Sequence, residues 1–172
     1  MASGDTIFLC EPLNGVQPAT LFATHDIIID ASTPNATIPV LDFDASTAEF
    51  MDWFFTVPSN YSGLGFTVSW KGGTDDTSVG TFELEIRMIV LADAVILTGD
   101  LGLDAATAVS ITDTPPTTPI NKMNQSVTGA LSHANAGSPS VGDRVGIRAK
   151  RDTATDTNTG DLQLLEILLL ET

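Results

Sequence analysis

The side chains of this chain that could do chemistry are mostly carboxylates. Glu83 and Glu85 alternate along one predicted strand, which places them on the same face, roughly 7 Å apart. That separation suits the acid and base of an inverting glycosidase. The same Glu-x-Glu-x-Arg pattern is also typical of a solvated or partner-facing strand, and we favour that interpretation. We predict a protein without catalytic residues.

The histidines and the cysteine give little support to nucleophilic catalysis. His25 and His133 are the only histidines, and the neighbouring Ser132 is not part of a G-x-S-x-G turn. We expect both histidines to be surface or interface residues. Cys10 is the only cysteine, so an internal disulfide is excluded, and we expect a buried, unreactive thiol.

An Asp-rich loop near the C-terminus is a weak candidate for a calcium site. Asp152, Asp156 and Asn158 supply oxygens at alternating positions before Gly160, as a calcium loop would. The closing bidentate glutamate is missing, and these residue types are equally typical of a long hairpin turn. We favour the turn and predict no metal and no cofactor.

Charge is distributed unevenly along the chain. The 172 residues include 22 acidic and 7 basic side chains, a formal charge of −15. Such a surface disfavours nucleic acid and anionic lipid, and the apolar runs are too short to span a membrane. Arg144, Arg148 and Lys150 share one predicted strand face, and we expect them to pair with the adjacent Asp-rich loop or with the acidic surface of a neighbouring subunit. No aromatics interleave with them in sequence, as a nucleic-acid groove would require.

Aromatic residues suggest a second kind of surface. Trp53, Tyr61, Phe66 and Trp70 could line a platform on which sugars stack. Because the tryptophans alternate with polar residues, we expect them in the core instead. Tyr61 follows Val57-Pro58 in a turn, so it is the candidate for glycan contact.

Alternating hydrophobicity predicts the elements that position these side chains. Period two is clearest at 49–57, 66–71, 81–91 and 144–150. The C-terminal segment 161–172 is apolar on both faces, and we predict a strand covered on both sides. Weaker strand candidates are 6–10, 26–29, 37–43, 108–112 and 120–131, with a short helical turn at 101–108 and a Pro-rich loop at 113–119. Many short strands separated by turn residues predict an all-β fold, a single β-sandwich or jelly roll with a short N-terminal extension. We predict strands or an arm in 1–45, and the sandwich domain in 46–172.

Two segments resemble a known family. The sequence WFFTVPSNYSG at 53–63, followed by FTVSW at 66–70, resembles the strand-V-P-x-x-Y-strand signature of small β-sandwich proteins encoded among tailed-bacteriophage virion genes. GDRVGIRAKRD at 142–152 is similar to the G-D-x-x-x-x-R-x-x-R-D ending of those proteins. The resemblance covers roughly the last two-thirds of the chain, and the Pro-rich loop departs from it.

The resemblance implies a non-enzymatic structural protein. The expected role is a capsid decoration protein made in the host cytoplasm and placed on the virion surface, with the major capsid protein and further copies of itself, such as a trimer, as partners. The expected contacts are the cationic strand face and the N-terminal residues Phe8, Leu13 and Leu21. The alternative is a glycan-binding β-sandwich module of a head fibre or tail adhesin.

Overall fold

The protein is a two-layer β-sandwich. The computed structural model describes residues 2–77, 79–93, 100–116 and 122–172. Within these ranges the strands are β1 (Thr6–Cys10), β2 (Thr24–Ile29), β3 (Thr37–Phe43), β4 (Phe50–Thr56), β5 (Gly65–Thr74), β6 (Phe82–Leu91), β7 (Val109–Asp113), β8 (Asn124–Gln125), β9 (Gly129–Ser132), β10 (Arg144–Arg151) and β11 (Leu162–Glu171), and Pro12–Asn14 form a 3₁₀ turn. The predicted all-β sandwich or jelly-roll fold is confirmed.

The larger sheet is built around the C-terminal strand. Its described strands run β2-β3-β11-β5-β8, with β1 also paired to β11 and β9 also paired to β5. Residues Leu162–Leu164 of β11 pair with β3, and 167–170 pair with β1. The segment 1–45 therefore contributes three strands to this sheet.

The smaller sheet has an uninterrupted register along its described strands. Its order is β4-β10-β6-β7, and all three pairings are antiparallel. Arg148 lies opposite Asp52 on one side and Arg87 on the other. Because successive side chains alternate between faces, this register fixes which residues of the three strands share a surface.

The core fills the space between the two sheets. Trp53 and Trp70 are completely buried, as predicted. The Trp53 indole N–H donates to the Glu11 carbonyl at 2.9 Å, and that of Trp70 donates to the Ile111 carbonyl at 3.4 Å. Cys10 is also fully buried, and burial raises the pKa of its thiol well above the ordinary value.

The predicted strands differ from the structure mainly where the signal was weak. Where one strand was predicted at 120–131, two strands form at 124–125 and 129–132. They are separated by residues 126–128, in which the Ser126 N–H donates to the Trp70 carbonyl. Residues 120–121, like 117–119 of the Pro-rich loop, lie outside the described residues. At 101–108 the Gly102 carbonyl accepts from the N–H groups of Ala105 and Ala106, which is one turn.

The hairpin formed by β2 and β3 extends beyond the sandwich. Strand β11 pairs with β3 only at Leu41–Phe43, whereas β2 pairs with β3 along its whole length. The outer half of the hairpin consequently leaves Ile27, Ile29 and Ile38 between 42% and 60% exposed. We call residues 27–38 the hairpin tip.

Candidate functional site

The outer face of the smaller sheet gathers charged and aromatic side chains in one place. Met51, Trp53 and Phe55 of β4 and Val145, Ile147 and Ala149 of β10 fill the core, so the residues between them point outward. The outward set, called the cationic face below, consists of Phe50, Asp52, Phe54, Glu85, Arg87, Arg144, Arg148 and Lys150. The three predicted contact cations therefore lie on one surface.

Arg148 anchors the centre of this face. Its Nε and Nη2 donate to the two carboxylate oxygens of Asp52, each at 2.7 Å, and its Nη1 donates to Asp104 at 2.7 Å. The guanidinium also lies 5.3 Å from the ring centroid of Phe50. The hydrogen bonds that Arg148 donates to Asp52 and Asp104 raise its pKa above the ordinary value, against the opposing effect of burial. A bidentate pair of this kind holds the guanidinium in a fixed plane.

A second aromatic–cation contact lies further along the same strands. The ring of Phe54 lies over Gly146, where an added Cβ would come within 3.1 Å of the Phe54 Cε1. The Arg144 guanidinium is 6.0 Å from the Phe54 ring centroid. Arg144 is exposed and, within the described ranges, forms no ion pair with a carboxylate. This leaves a half-buried aromatic ring beside a cation that is open to a ligand.

The remaining charges of the face are mutually neutralised. Glu85 accepts from Arg87 at 2.8 Å and from Lys150 at 3.3 Å, and Lys150 also reaches Asp152 at 3.4 Å. Arg87 further donates to the Asp104 carbonyl. Glu85 therefore bridges two cations, and Glu83 beside it is half-buried on the same face. The two glutamates are not an isolated carboxylate pair.

Two clefts open beside the cationic face, one at its centre and one at its Arg144 end. One has a volume of about 510 Å³ and is lined by Asp52, Arg148, Asp104 and Leu103, among others. The other has a volume of about 370 Å³ and is lined by Arg144, Gly142 and residues 90–93. The Phe54 ring lies over β10 at Gly146, between Arg148 and Arg144, so the two clefts and the ring follow one line along the strand.

Tyr61 lies in the core, with only 8% of its surface exposed. Its ring stacks on Phe66 at a centroid distance of 5.1 Å, and its hydroxyl is 3.2 Å from Nδ1 of His133 and accepts from the Gly65 N–H. Because one ring face is covered and the hydroxyl is engaged, Tyr61 does not offer the open stacking surface that the sequence suggested. Its position in the turn after Pro58 gave no signal of this burial.

The Asp-rich loop is organised around an internal cation. The Arg151 guanidinium is fully buried and donates to Asp156 at 2.8 Å and to the carbonyls of Asn158 and Phe43, each at 2.9 Å. Asp152 accepts instead from Lys150 and Thr155. The side-chain oxygens of Asp152, Asp156 and Asn158, which were the weak calcium candidates, thus accept hydrogen bonds within the chain. Among the described residues, no group of three or more His, Cys, Asp or Glu side chains could hold a metal ion.

The N-terminal candidate contacts are placed differently from one another. Phe8 stacks on Phe55 at 4.7 Å and is partly buried against the core. Leu13 is 78% exposed and Leu21 is 54% exposed. Leu13 and Leu21 remain available to a partner, whereas the Phe8 ring is largely used within the chain.

Phe50 and Phe54 are the residues of this face that sequence reasoning missed. Their alternation with Met51, Trp53 and Phe55 was visible and implied an outward orientation. The missing information was the pairing of β4 with β10, which joins Asp52 to Arg148 across 96 positions. Phe50 and Phe54 of β4 thus lie beside Arg148 and Arg144 of β10, although no aromatic residue stands between these cations in the sequence.

The comparisons with known proteins return structures only. No protein-family model matches the chain, and no curated protein sequence matches it. A family 6 carbohydrate-binding module is similar in structure, with a TM-score of 0.49, 10% identity, and coverage of 98% of this chain and 96% of that one. The carbohydrate-binding module CBM36, in complex with calcium and xylotriose, is similar with a TM-score of 0.47 and 15% identity, over 95% of this chain and 99% of that one. A family 11 carbohydrate-binding module from Clostridium thermocellum, in complex with a β-1,3-1,4-mixed-linked tetrasaccharide, is similar with a TM-score of 0.47 and 12% identity, over 100% of this chain and 98% of that one. Likenesses at this level say nothing of what this chain binds.

No helix in the described part of the chain is both long enough and apolar enough to cross a membrane.

Proposed function

We propose that this protein is a glycan-binding β-sandwich module and that the cationic face is its ligand surface. The observation that carries the proposal is the line formed by the Arg148 cleft, the Phe54 ring and the Arg144 cleft along β10. Sugars present flat apolar faces and many hydroxyls, so they are recognised by aromatic rings combined with fixed polar groups.

Each part of this line has a defined role in the proposal. The Phe54 ring provides the stacking surface, because Gly146 lets it lie close to the strand. Asp52 and Arg148 hold each other in one orientation, so their free lone pairs and N–H groups are preorganised for sugar hydroxyls. Arg144 lies beside the ring without a carboxylate partner in the described ranges, and is the group that a ligand oxygen would meet first.

A glycan array followed by titration calorimetry tests the proposal. We expect at least one polysaccharide or oligosaccharide class to bind, with Phe54→Ala and Arg144→Gln each weakening the association by tenfold or more. Leu64→Ala and Lys122→Gln are matched controls, because both residues are exposed and lie off the cationic face. An array without binding, or binding that is equally strong in Phe54→Ala, would overturn the proposal.

A second candidate function is a structural protein of the virion surface that contacts the major capsid protein and further copies of itself. The hairpin tip favours it, since Ile27 and Ile29 share one face of the hairpin and are both exposed, and neighbouring exposed isoleucines are unusual unless a partner covers them. Mass spectrometry of purified particles tests this candidate, and absence of the chain from the particles would remove it. The two functions are compatible, because the hairpin tip and the cationic face belong to different sheets.

A further inference from the structure

Strand β2 forms an open edge of the larger sheet. It is the terminal strand in the order β2-β3-β11-β5-β8, and it pairs with β3 along Thr24–Ile29. On its other side, no hydrogen bond from another strand reaches β2 in the described part of the chain. The strand contains no lysine, proline or bulge, which are the usual means of closing an exposed edge. The edge is therefore open to a further strand.

The main-chain groups of Ile27 face this open edge. The Asp30 N–H donates to the Ala36 carbonyl at 2.8 Å, and bonded pairs alternate with non-bonded pairs along an antiparallel ladder, so the even-numbered residues of β2 bond to β3. Ile27 lies opposite Pro39, which has no N–H to donate, in agreement with this alternation. The Ile27 N–H donates instead to Oδ1 of Asp26 at 2.7 Å. By the same alternation, the residues whose N–H and C=O groups face the open edge are His25, Ile27 and Ile29.

A second copy of β2 presents main-chain groups with the same two-residue spacing, so the edge is complementary to itself. Charge restricts the registers that two antiparallel copies can adopt about a twofold axis. A register centred on Asp26 places two carboxylates directly opposite each other, with roughly 4.5 Å between Cα atoms, and a register centred on Ile28 places Asp26 opposite Asp30. Like charges in directly opposing positions are destabilising.

The ends of the strand restrict the register further. A shift toward the N-terminus requires the Ala23 N–H, which already donates to the Phe50 carbonyl at 3.0 Å. A shift toward the C-terminus requires residues beyond Ile29, where β2 ends. The register centred on Ile27 avoids these conflicts, and it bonds all the outward-facing groups of both copies.

We propose that two copies of this chain associate by antiparallel pairing of their β2 strands, with Ile27 opposite Ile27 and His25 opposite Ile29. In this arrangement Asp26 lies opposite Ile28, so no acidic residue of β2 faces another. Ile27 and Ile29 are 52% and 60% exposed, and those of both copies then form one apolar stripe on the shared face. The interface is small and each copy has a formal charge of −15, so we expect a dissociation constant of about 10⁻⁵–10⁻³ M.

Asp26 restrains the association. Its carboxylate holds the Ile27 N–H in the single copy and must release it before that N–H can donate to the second copy. Asp26→Ala removes the competing acceptor and one negative charge from each copy. This variant should therefore associate several-fold more tightly than the wild type.

Sedimentation velocity of the whole chain over a range of concentrations tests the inference. Ile27→Pro removes an N–H that β3 does not use, so the hairpin should still fold, and association should weaken about tenfold or more. Ile27→Val is the matched control, because it keeps the N–H and most of the apolar side chain, and its association should stay within about threefold of the wild type. Raising NaCl from about 50 to about 500 mM should tighten the wild-type association, since it screens the repulsion between two acidic copies.

Amide hydrogen exchange of the wild type, followed by NMR, tests the register without any substitution. Protection of the His25, Ile27 and Ile29 N–H groups should rise with protein concentration, while that of Ile28, which already bonds to β3, should not. A wild type that stays monomeric at about 1 mM would overturn the inference. Association that Ile27→Pro leaves intact, or that Ile27→Val weakens equally, would also overturn it. The pairing requires neither a glycan nor a capsid, so its failure would leave both proposed functions in place.

Discussion

Arg151 and Asp156 form an ion pair whose two side chains are 0% and 1% exposed, with Nε and Oδ2 at 2.8 Å. The same guanidinium donates to the carbonyls of Phe43 and Asn158 and lies 4.7 Å from the Phe82 ring centroid. Arg151 thereby joins the end of β3, the Asp-rich loop and the edge of the core. Desolvating two charges is costly, and the cost is offset because each of the three guanidinium nitrogens donates a hydrogen bond.

Substitution of Arg151 by leucine should be strongly destabilising. Leucine leaves the Asp156 carboxylate buried without its partner, a change that typically costs about 3–5 kcal/mol in the free energy of unfolding. Urea denaturation followed by tryptophan fluorescence measures it. Arg144→Leu is the control, since that side chain is exposed, and its effect should be below about 0.5 kcal/mol. Equal effects of the two substitutions would show that Arg151 does not stabilise the fold in this way.

Asp42 should make stability depend on pH in a direction opposite to that of a paired carboxylate. Burial raises its folded pKa to about 6, against an ordinary value of 3.8. The folded protein therefore holds this proton more tightly than the unfolded chain, so its stabilising contribution is present below about pH 4 and is lost as the pH rises to about 6.

Asp42→Asn tests this dependence. Because Asp42 is partly exposed, we expect the variant to be more stable than the wild type by only about 1 kcal/mol at pH 7, with the difference vanishing near pH 3.5. Denaturation curves at several pH values measure this difference. A difference that is constant across the range would contradict the raised pKa of Asp42.

The strands were predictable where one face is buried, and the site was not. Residues 81–91 alternate cleanly, and β6 spans Phe82–Leu91, because its inner side chains all enter the core. The Arg144, Arg148 and Lys150 alternation likewise indicated a shared face. Local patterns cannot supply which strands become neighbours, and both the Phe54–Arg144 contact and the hydrogen bond from Arg151 to the Phe43 carbonyl depend on that.

Gly65 should be far less replaceable than Gly63, although both have positive φ angles, of 114° and 82°. A Cβ at Gly65 would lie 2.8 Å from the His133 nitrogen and the Leu131 carbonyl oxygen, both of which are backbone atoms, whereas a Cβ at Gly63 meets nothing within 4 Å. Gly63→Ala should cost about 1–2 kcal/mol through its φ angle alone. Gly65→Ala should cost at least about 2 kcal/mol more, since strands β5 and β9 must separate. Thermal unfolding of the two variants gives the comparison, and similar Tm values would contradict it.

Substitution of Gly146 should change the affinity for the ligand more than the stability of the fold. An alanine Cβ would approach Phe54 Cε1 to 3.1 Å, and because the ring is the end of a side chain, it can move aside. We expect Gly146→Ala to change the Tm by no more than a few degrees and to weaken glycan association several-fold. Calorimetric titration with the best array ligand measures it. Unchanged affinity in Gly146→Ala, together with loss of affinity in Phe54→Ala, would show that the ring need not lie against the strand.

The hairpin tip should determine self-association, if copies of this chain cover it. An aspartate at Ile27 places a charge next to the exposed Ile29 on the same face without entering the core, so the monomer should fold with a nearly unchanged Tm. An association that buries these side chains should weaken at least tenfold, because each side chain gives up roughly 1.5–3 kcal/mol of burial. Sedimentation velocity at several concentrations compares the wild type with Ile27→Asp, with Val79→Asp as the control, since Val79 is 80% exposed and lies off the hairpin. A wild type that stays monomeric up to high concentration would instead assign the hairpin tip to a different partner, and an oligomer insensitive to Ile27→Asp would place the interface elsewhere.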